Sequence, residues 1–277
     1  MKRDAGPMDL KTLRGSHAMG PEPATAGISS SMPDRSSPLS ARLAGLVELH
    51  GPGGRLDEAR ARGVLTRTIY EMFEPLRPAL ISGGSGHPLA VAGEAMRSWC
   101  ELAVGLGVLA RRGRGYRAAD NGARTYLAGG WLEELMALAL LDAECQEVRF
   151  SQQIRWRAPG GESDHYNEVD ALALYGGQLV IVSCKATATD LLDRSHGEER
   201  MFQAMLELSY WNTHFGNRAA TPIFVTTTDF YDEEAGEFRS PKLMERARIL
   251  GLNVLTADFS TAAHLTRRLR DVLRAAA

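Results

Sequence analysis

Asp170, Ser183 and Lys185 are the residues whose types and spacing could do chemistry. They lie in "YNEVDALALYGGQLVIVSCKAT", Tyr166 to Thr187, where two apolar runs flank Gly176-Gly177. A two-residue Gly-Gly between such runs predicts a tight hairpin. Side chains two apart on a strand share a face. Glu168 and Asp170 therefore point one way, and Val169, Ala171 and Ala173 the other. On the second strand Leu179, Ile181, Ser183 and Lys185 share a face, opposite Val180, Val182 and Cys184. The hairpin can bring Asp170 and Lys185 to one side near its open end. A carboxylate, a hydroxyl and an ammonium then converge beside a predicted helix that carries Glu133 and Glu134. Burying such a set unpaired is costly, so it serves either chemistry or a buried Asp–Lys ion pair.

The surrounding elements must hold this hairpin. From Trp131, "WLEELMALALLDA" has the spacing and length of a helix. "EVRFSQQIRWRA" alternates as a strand, with Val148, Phe150, Ile154 and Trp156 on its apolar side once a slip near the glutamines is allowed, and "PGGESDH" is a turn. After the hairpin come a helix ("GEERMFQAMLELSYWNTHFG"), a strand ("TPIFVTTTDF") and a helix started near Pro241 and stopped by Gly251. A strand ("LNVLTADF") and a helix capped by Ser260 or Thr261 close the chain. The order α-βββ-α-β-α-β-α predicts an α/β fold, a mixed sheet with helices on both faces.

Upstream, residues 1–40 are rich in Pro, Ser, Gly and Ala and predict a disordered N-terminal segment. Residues 41–128 read as a second domain. "ARLAGLVELHG" and "LDEARARGVLTRTIYEMFEPL" have helical spacing, with Leu65, Ile69, Met72 and Phe73 on one face. A Gly-rich loop, "ISGGSGHP", leads to a further helix and then to the basic ribbon "ARRGRGYRAADNGARTYLAGG". Helices followed by a basic ribbon are the layout of a winged-helix module. Arg111, Arg112, Arg114, Arg117 and Arg124 face one acid, Asp120, so the ribbon is either a nucleic-acid-binding wing or a solvated spacer or dimerisation element.

Composition narrows the class. With 277 residues, 44% hydrophobic, 24% charged and a net charge of -2, the chain is no globally basic nucleic-acid coat. Cys100, Cys145 and Cys184 lack zinc or disulfide spacing and suit a reducing compartment. No apolar run approaches the roughly 20 residues of a membrane span, and no signal peptide is apparent, so a cytoplasmic location is expected. His165, His196 and His214 lack metal-ligand spacing, "GGSGHP" lacks the Lys of a phosphate loop, and Tyr210 and Trp211 read as core.

The hairpin resembles the PD-(D/E)xK (restriction-endonuclease-like) nuclease superfamily, whose motif is an Asp on one core strand and Glu-x-Lys on the next. Here "NEVDALALYGGQLVIVSCK" supplies Asp170 and Ser183-Cys184-Lys185. The closer resemblance is to the nuclease domain of CRISPR-associated effectors activated by cyclic oligoadenylate. Gly129–Glu134, Asn167–Asp170 and Cys184-Lys185 match that pattern, over roughly residues 124–273. The resemblance implies a mixed-sheet αβββαβ core in residues 129–277, preceded by the winged-helix-like helical domain.

It also implies a metal-dependent endonuclease that hydrolyses DNA or RNA, in antiviral defence. A Mg2+ or Mn2+ ion would sit on Asp170, the Cys184 main-chain carbonyl and Glu134, with Glu133 or Glu168 as rival carboxylates, and Lys185 would orient water or stabilise charge on phosphorus. Gln203 on the following helix is a supporting polar residue, and a homodimer with a separate activating protein or ligand is the expected assembly. Two departures stand out. Ser183 occupies the Glu position, so the alternative is a catalytically weak or inactive nuclease fold used for nucleic-acid binding or dimerisation. The region before Leu43 is too short and polar for the sensor domain of those effectors, so activation by cyclic oligoadenylate is not expected to carry over.

Overall fold

A computed structural model describes residues 37–43, 47–91, 93–157, 164–215, 219–256 and 261–276. The chain runs α1 (Pro38–Leu43), β1 (Glu48–His50), α2 (Leu56–Glu71), α3 (Phe73–Gly84), α4 (Gly93–Gly105), β2 (Leu109–Arg112), β3 (Gly115–Ala118) and α5 (Asn121–Thr125). A kinked turn, Tyr126–Gly130, whose Gly129 leaves the helical region, leads into α6 (Trp131–Asp142). Then follow β4 (Glu147–Arg157), β5 (Asp164–Tyr175), β6 (Gln178–Lys185), α7 (Gly197–His214), β7 (Thr221–Thr226), the short pair β8 (Tyr231–Asp232) and β9 (Glu237–Phe238), α8 (Pro241–Ile249), β10 (Asn253–Thr256) and α9 (Ala262–Ala276).

Six strands form one mixed sheet in the order β1-β4-β5-β6-β7-β10. The β4–β5–β6 meander is antiparallel, and β7 and β10 add in parallel. Gly176 and Gly177 both adopt positive φ, as the two-residue hairpin turn requires. Two apolar layers sandwich the sheet. One buries α2, α3, α4, α6 and α9 against Ala171, Ala173, Val180, Val182, Ile223 and Val225. The other buries α1, α7 and α8 against Leu172, Leu174, Leu179, Ile181 and Phe224. Ser240 caps α8 by accepting the Leu243 N–H, with Pro241 in the first turn, and Thr261 accepts the His264 N–H at the start of α9.

The expected alternation along β4 and β5 does not hold. Val148 and Phe150 pack in the first layer but Ile154 and Trp156 in the second, although all four occupy even-numbered positions of one strand. β5 changes sides at the same level, with Ala171 in the first layer and Val169 in the second. The cause is local. Ser151 is left-handed at φ 42, and the 151–170 pair drops out of the ladder while Phe150–Ala171 and Gln152–Val169 remain. A kink in both strands thus falls beside Asp170.

The upstream region also departs from its expected form. The segment expected to be disordered, 1–40, lies outside the described residues except for 37–40, where Leu39 is buried in α1. "ARLAGLVELHG" is not one helix: β1 follows α1 and pairs with β4 at the sheet edge. The long helix expected over 56–76 breaks at Met72, because Pro75 has no N–H for the Glu71 carbonyl and its ring would meet that turn. α3 then continues through "ISGG", read as loop. The antiparallel β2–β3 ribbon forms as expected and follows α2, α3 and α4. The apolar layer that holds these helices is continuous with α6 and α9, across the boundary expected near residue 128.

Gly53 and Gly54 bring the start of α2 against β4. Gly53 has φ +64, the Gly54 N–H donates to the Phe150 carbonyl at 2.7 Å, and a Cβ on Gly54 would stand 2.3 Å from the buried Phe150 ring. Gly54→Ala is therefore expected to cost about 1–3 kcal/mol by overpacking, read by urea denaturation. Gly105→Ala, which meets open space, serves as the control and should be near neutral.

Candidate active site

β5 and β6 part after the Ala171–Val182 pair. Below it Asp164–Val169 pairs only with β4, Asp170 is in neither ladder, and Ser183–Lys185 pairs only with β7. The sheet forks there. The Cys184 N–H, which the ladder no longer satisfies, donates to Asp170 Oδ2 at 2.6 Å. Within a strand the N–H and C=O of one residue project to the same side, so the Cys184 carbonyl also aims into the fork. Ser183 Oγ donates to the same Asp170 oxygen at 3.4 Å, and Lys185 Nζ stands 3.7 Å from it. The Asp170 and Lys185 side chains are 20% and 32% exposed, so the pair opens to solvent and is not part of a sealed core.

The two adjacent glutamates of α6 face different surroundings. Glu133 turns to the fork, where its Oε2 accepts the Ser151 hydroxyl at 2.5 Å. Burial, opposed by the Ser151 hydrogen bond and reinforced by the charges of Asp170 and Glu168, pushes its carboxyl up to about 7. Glu134 turns the other way. It is 4% exposed and ion-paired with Arg62 of α2, and burial raises its carboxyl against the pull of that guanidinium. The expectation that Glu134 joins Asp170 is thus corrected to Glu133. The reason is the covering of α6, by the sheet on one side and α2 on the other, which leaves no solvent face to set its phase.

Glu168 is exposed near Asp170, and its carboxyl is raised by partial burial and by the Asp170 charge. Cys184 packs its thiol on α6, with Sγ 3.9 Å from the Leu132 carbonyl, and burial raises it well above the usual thiol range. Gln203 is exposed on α7, away from that helix's buried Met201–Met205 face. In the ribbon Arg111 is engaged by Glu101, which also accepts the Tyr116 hydroxyl at 2.5 Å. Arg112, Arg114 and Arg117 are exposed.

Sequence reading overlooked three supports. Ser151, in an unremarkable "FSQQ", holds Glu133. The kink at Gly129, where the backbone leaves the helical region just before α6, has no marker in the sequence beyond the Gly-Gly pair. Thr226, Thr227 and Thr228 are fully buried and pin the chain after Lys185. Thr226 Oγ1 donates to the Lys185 carbonyl at 3.1 Å, Thr227 Oγ1 accepts the Thr187 N–H at 2.7 Å, and Thr228 Oγ1 donates to the Ala188 carbonyl at 3.2 Å. Three consecutive threonines closing an apolar strand were the available signal.

The donor set suits a hard divalent cation in kind: carboxylate oxygens, a backbone carbonyl, and a buried acid whose proton affinity is raised by like charge. Among the described residues no three His, Cys, Asp or Glu side chains already stand in metal-holding geometry. No helix among them is long and apolar enough to cross a membrane.

No protein-family model matches the chain, and no curated protein matches it significantly. Solved structures do. Protein VC1899 from Vibrio cholerae superposes with a TM-score of 0.61 at 16% identity, over 86% of this chain and 61% of that one. Can2 from Sulfobacillus thermosulfidooxidans, in complex with cyclic tetra-adenylate, superposes with a TM-score of 0.57 at 12% identity, over 85% and 59%. The chain thus shares its fold with both and spans about three fifths of the length of each.

Two measurements check the glutamate assignment. Glu133 has a folded value of about 7 against 4.5 when free, so the native state binds its proton more tightly. Its contribution to stability is full below pH 4.5 and is lost as pH rises to about 7. Glu133→Gln should remove this fall, read as urea midpoints at pH 5 and pH 8. Arg62→Ala strands the Glu134 carboxylate and should cost about 3 kcal/mol at neutral pH.

Proposed function

We propose that the chain is a metal-dependent nuclease of the PD-(D/E)xK type, acting on phosphodiester bonds of DNA or RNA in antiviral defence. The single observation that carries this reading is the fork, where Asp170, the Cys184 carbonyl, Lys185 and Glu133 converge at a partly exposed break in the sheet. Asp170, the Cys184 carbonyl and Glu133 would hold a Mg2+ or Mn2+ ion, with Glu168 at the rim. Such an ion, when bound, acidifies water and offsets charge on the phosphate. Asp170 is held ready by the Cys184 N–H, which orients its carboxylate. Lys185 sits where an ammonium can orient the attacking water or face the negative charge that develops on phosphorus. Glu133, with a carboxyl near 7, is suited to exchange a proton near neutral pH.

The αβββαβ order of α6 to β7 supports this reading, as does the likeness in fold to Can2, whose complex holds cyclic tetra-adenylate. A second reading, a nuclease fold that binds nucleic acid but cuts weakly, is favoured by Ser183. Its hydroxyl donates to Asp170 where the motif would place another carboxylate.

Incubation with single- and double-stranded DNA and RNA in Mn2+, Mg2+ or EDTA decides between the two. Cleavage should require the metal and fall below about 1% of wild type in Asp170→Ala and Lys185→Ala. Ser183→Glu should tighten Mn2+ binding by calorimetry, since a second hard anionic ligand joins the first. No metal-dependent cleavage by the wild-type chain, with Mn2+ affinity indifferent to Asp170, would leave only an ion pair.

The ribbon is tested separately. Arg112→Glu with Arg114→Glu should weaken binding of duplex DNA and flatten its salt dependence, by about 0.9 in slope for each phosphate no longer neutralised. An unchanged slope would make the ribbon a spacer or interface.

A further inference from the structure

Beside the fork lies a pocket of ≈ 280 Å³, between α3, the Tyr126–Gly130 turn and the segment that follows β6. Its floor is apolar, with Leu80, Leu127 and Trp131, and its wall includes Ala186 and Thr187, directly after Lys185. Arg77, Arg194 and Arg200 reach it from three separate elements, and no carboxylate lines it. Three guanidiniums thus border one small cavity, offset from outside its lining by Asp190 beside Arg194 and Glu74 beside Arg77.

The three are not equally engaged. Arg194 is tied to Asp190, its Nη2 donating to both carboxylate oxygens at 2.7 and 3.0 Å. Arg77 Nε is buried and donates no hydrogen bond, with Glu74 Oε2 3.4 Å away as an ion-pair partner. Arg200, exposed on α7, is in no ion pair among the described residues. Two guanidiniums thus have donors to spare, and planar guanidiniums match phosphate oxygens. The buried Thr226–Thr228 hydroxyls fix the wall on one side and the Lys185 carbonyl on the other, so pocket and fork are held in register.

We propose that this pocket is a subsite for the nucleic-acid strand, taking the nucleotide next to the phosphate at the fork. Its phosphate sits on Arg77 and Arg200, and its sugar and base lie over the Leu127–Trp131 floor. This assignment rests on the nuclease reading for the cut itself, but not for binding.

The test uses the whole chain in EDTA, with a fluorescein-labelled 12-nucleotide single-stranded DNA or RNA and anisotropy as the readout. Arg77→Gln with Arg200→Gln should raise Kd about tenfold and reduce the salt slope by about 0.7, the value for one phosphate of a single strand. Arg200→Gln alone, at an exposed position, should be near neutral for stability and should show about half the slope change. Unchanged Kd and slope in Arg200→Gln and in the folded double variant overturn the subsite. So does adenosine monophosphate that binds through these arginines while the oligonucleotide does not, which would mark a free-nucleotide site. Cleavage by the wild-type chain in Mn2+ is scored in parallel. Arginine-dependent binding without any cleavage sinks the nuclease reading alone, and cleavage with arginine-independent binding sinks the subsite alone.

Discussion

The parting of β5 from β6 after Ala171–Val182 is the constraint on which the site depends. A ladder that ends inside a sheet leaves backbone donors without partners, and a buried unpaired N–H costs about as much as breaking a hydrogen bond. The Asp170 carboxylate satisfies the Cys184 N–H. In doing so it is fixed at the mouth of the fork, with the Cys184 carbonyl beside it and Lys185 held on the strand that continues against β7. The kink at Ser151 and Asp170 belongs to the same event. It turns Val169 to the far layer and leaves the near side of the fork to polar groups.

The helix that faces the fork is constrained as strongly. α6 is apolar nearly all round, because it is covered by the sheet and by α2 together. Adjacent glutamates, about 100° apart on a helix, then meet opposite environments. Glu134 is neutralised by Arg62, which ties the upstream helices to the sheet domain. Glu133 has no cation so close; it has a hydroxyl, the more distant Lys185, and the negative field of Asp170 and Glu168. One residue of helical phase thus separates a structural ion pair from an acid that titrates near neutrality.

Apart from the short β8–β9 pair, the element order of the second half, the Gly-Gly hairpin, the α9 cap and the basic ribbon were all legible in the sequence. Each rests on local rules: period-two or period-3.6 burial, left-handed glycines, and capping side chains. The Asp170–Lys185 approach followed from the hairpin register alone. What local rules could not reach was decided by packing between distant segments. The α2–α3 break was signalled by Pro75, but the paired change of face in β4 and β5 requires Ser151 and Asp170 to lose their pairing together. Val148 and Ile154 look alike in sequence and end in different layers for that reason. The choice of Glu133 over Glu134 needed α2 to supply Arg62 from 72 residues upstream. Sequence spacing determined which chemical groups share the hairpin. Only the tertiary structure decided which of them are neutralised and which are left to face one another, because charge compensation is set by distance in space and not along the chain.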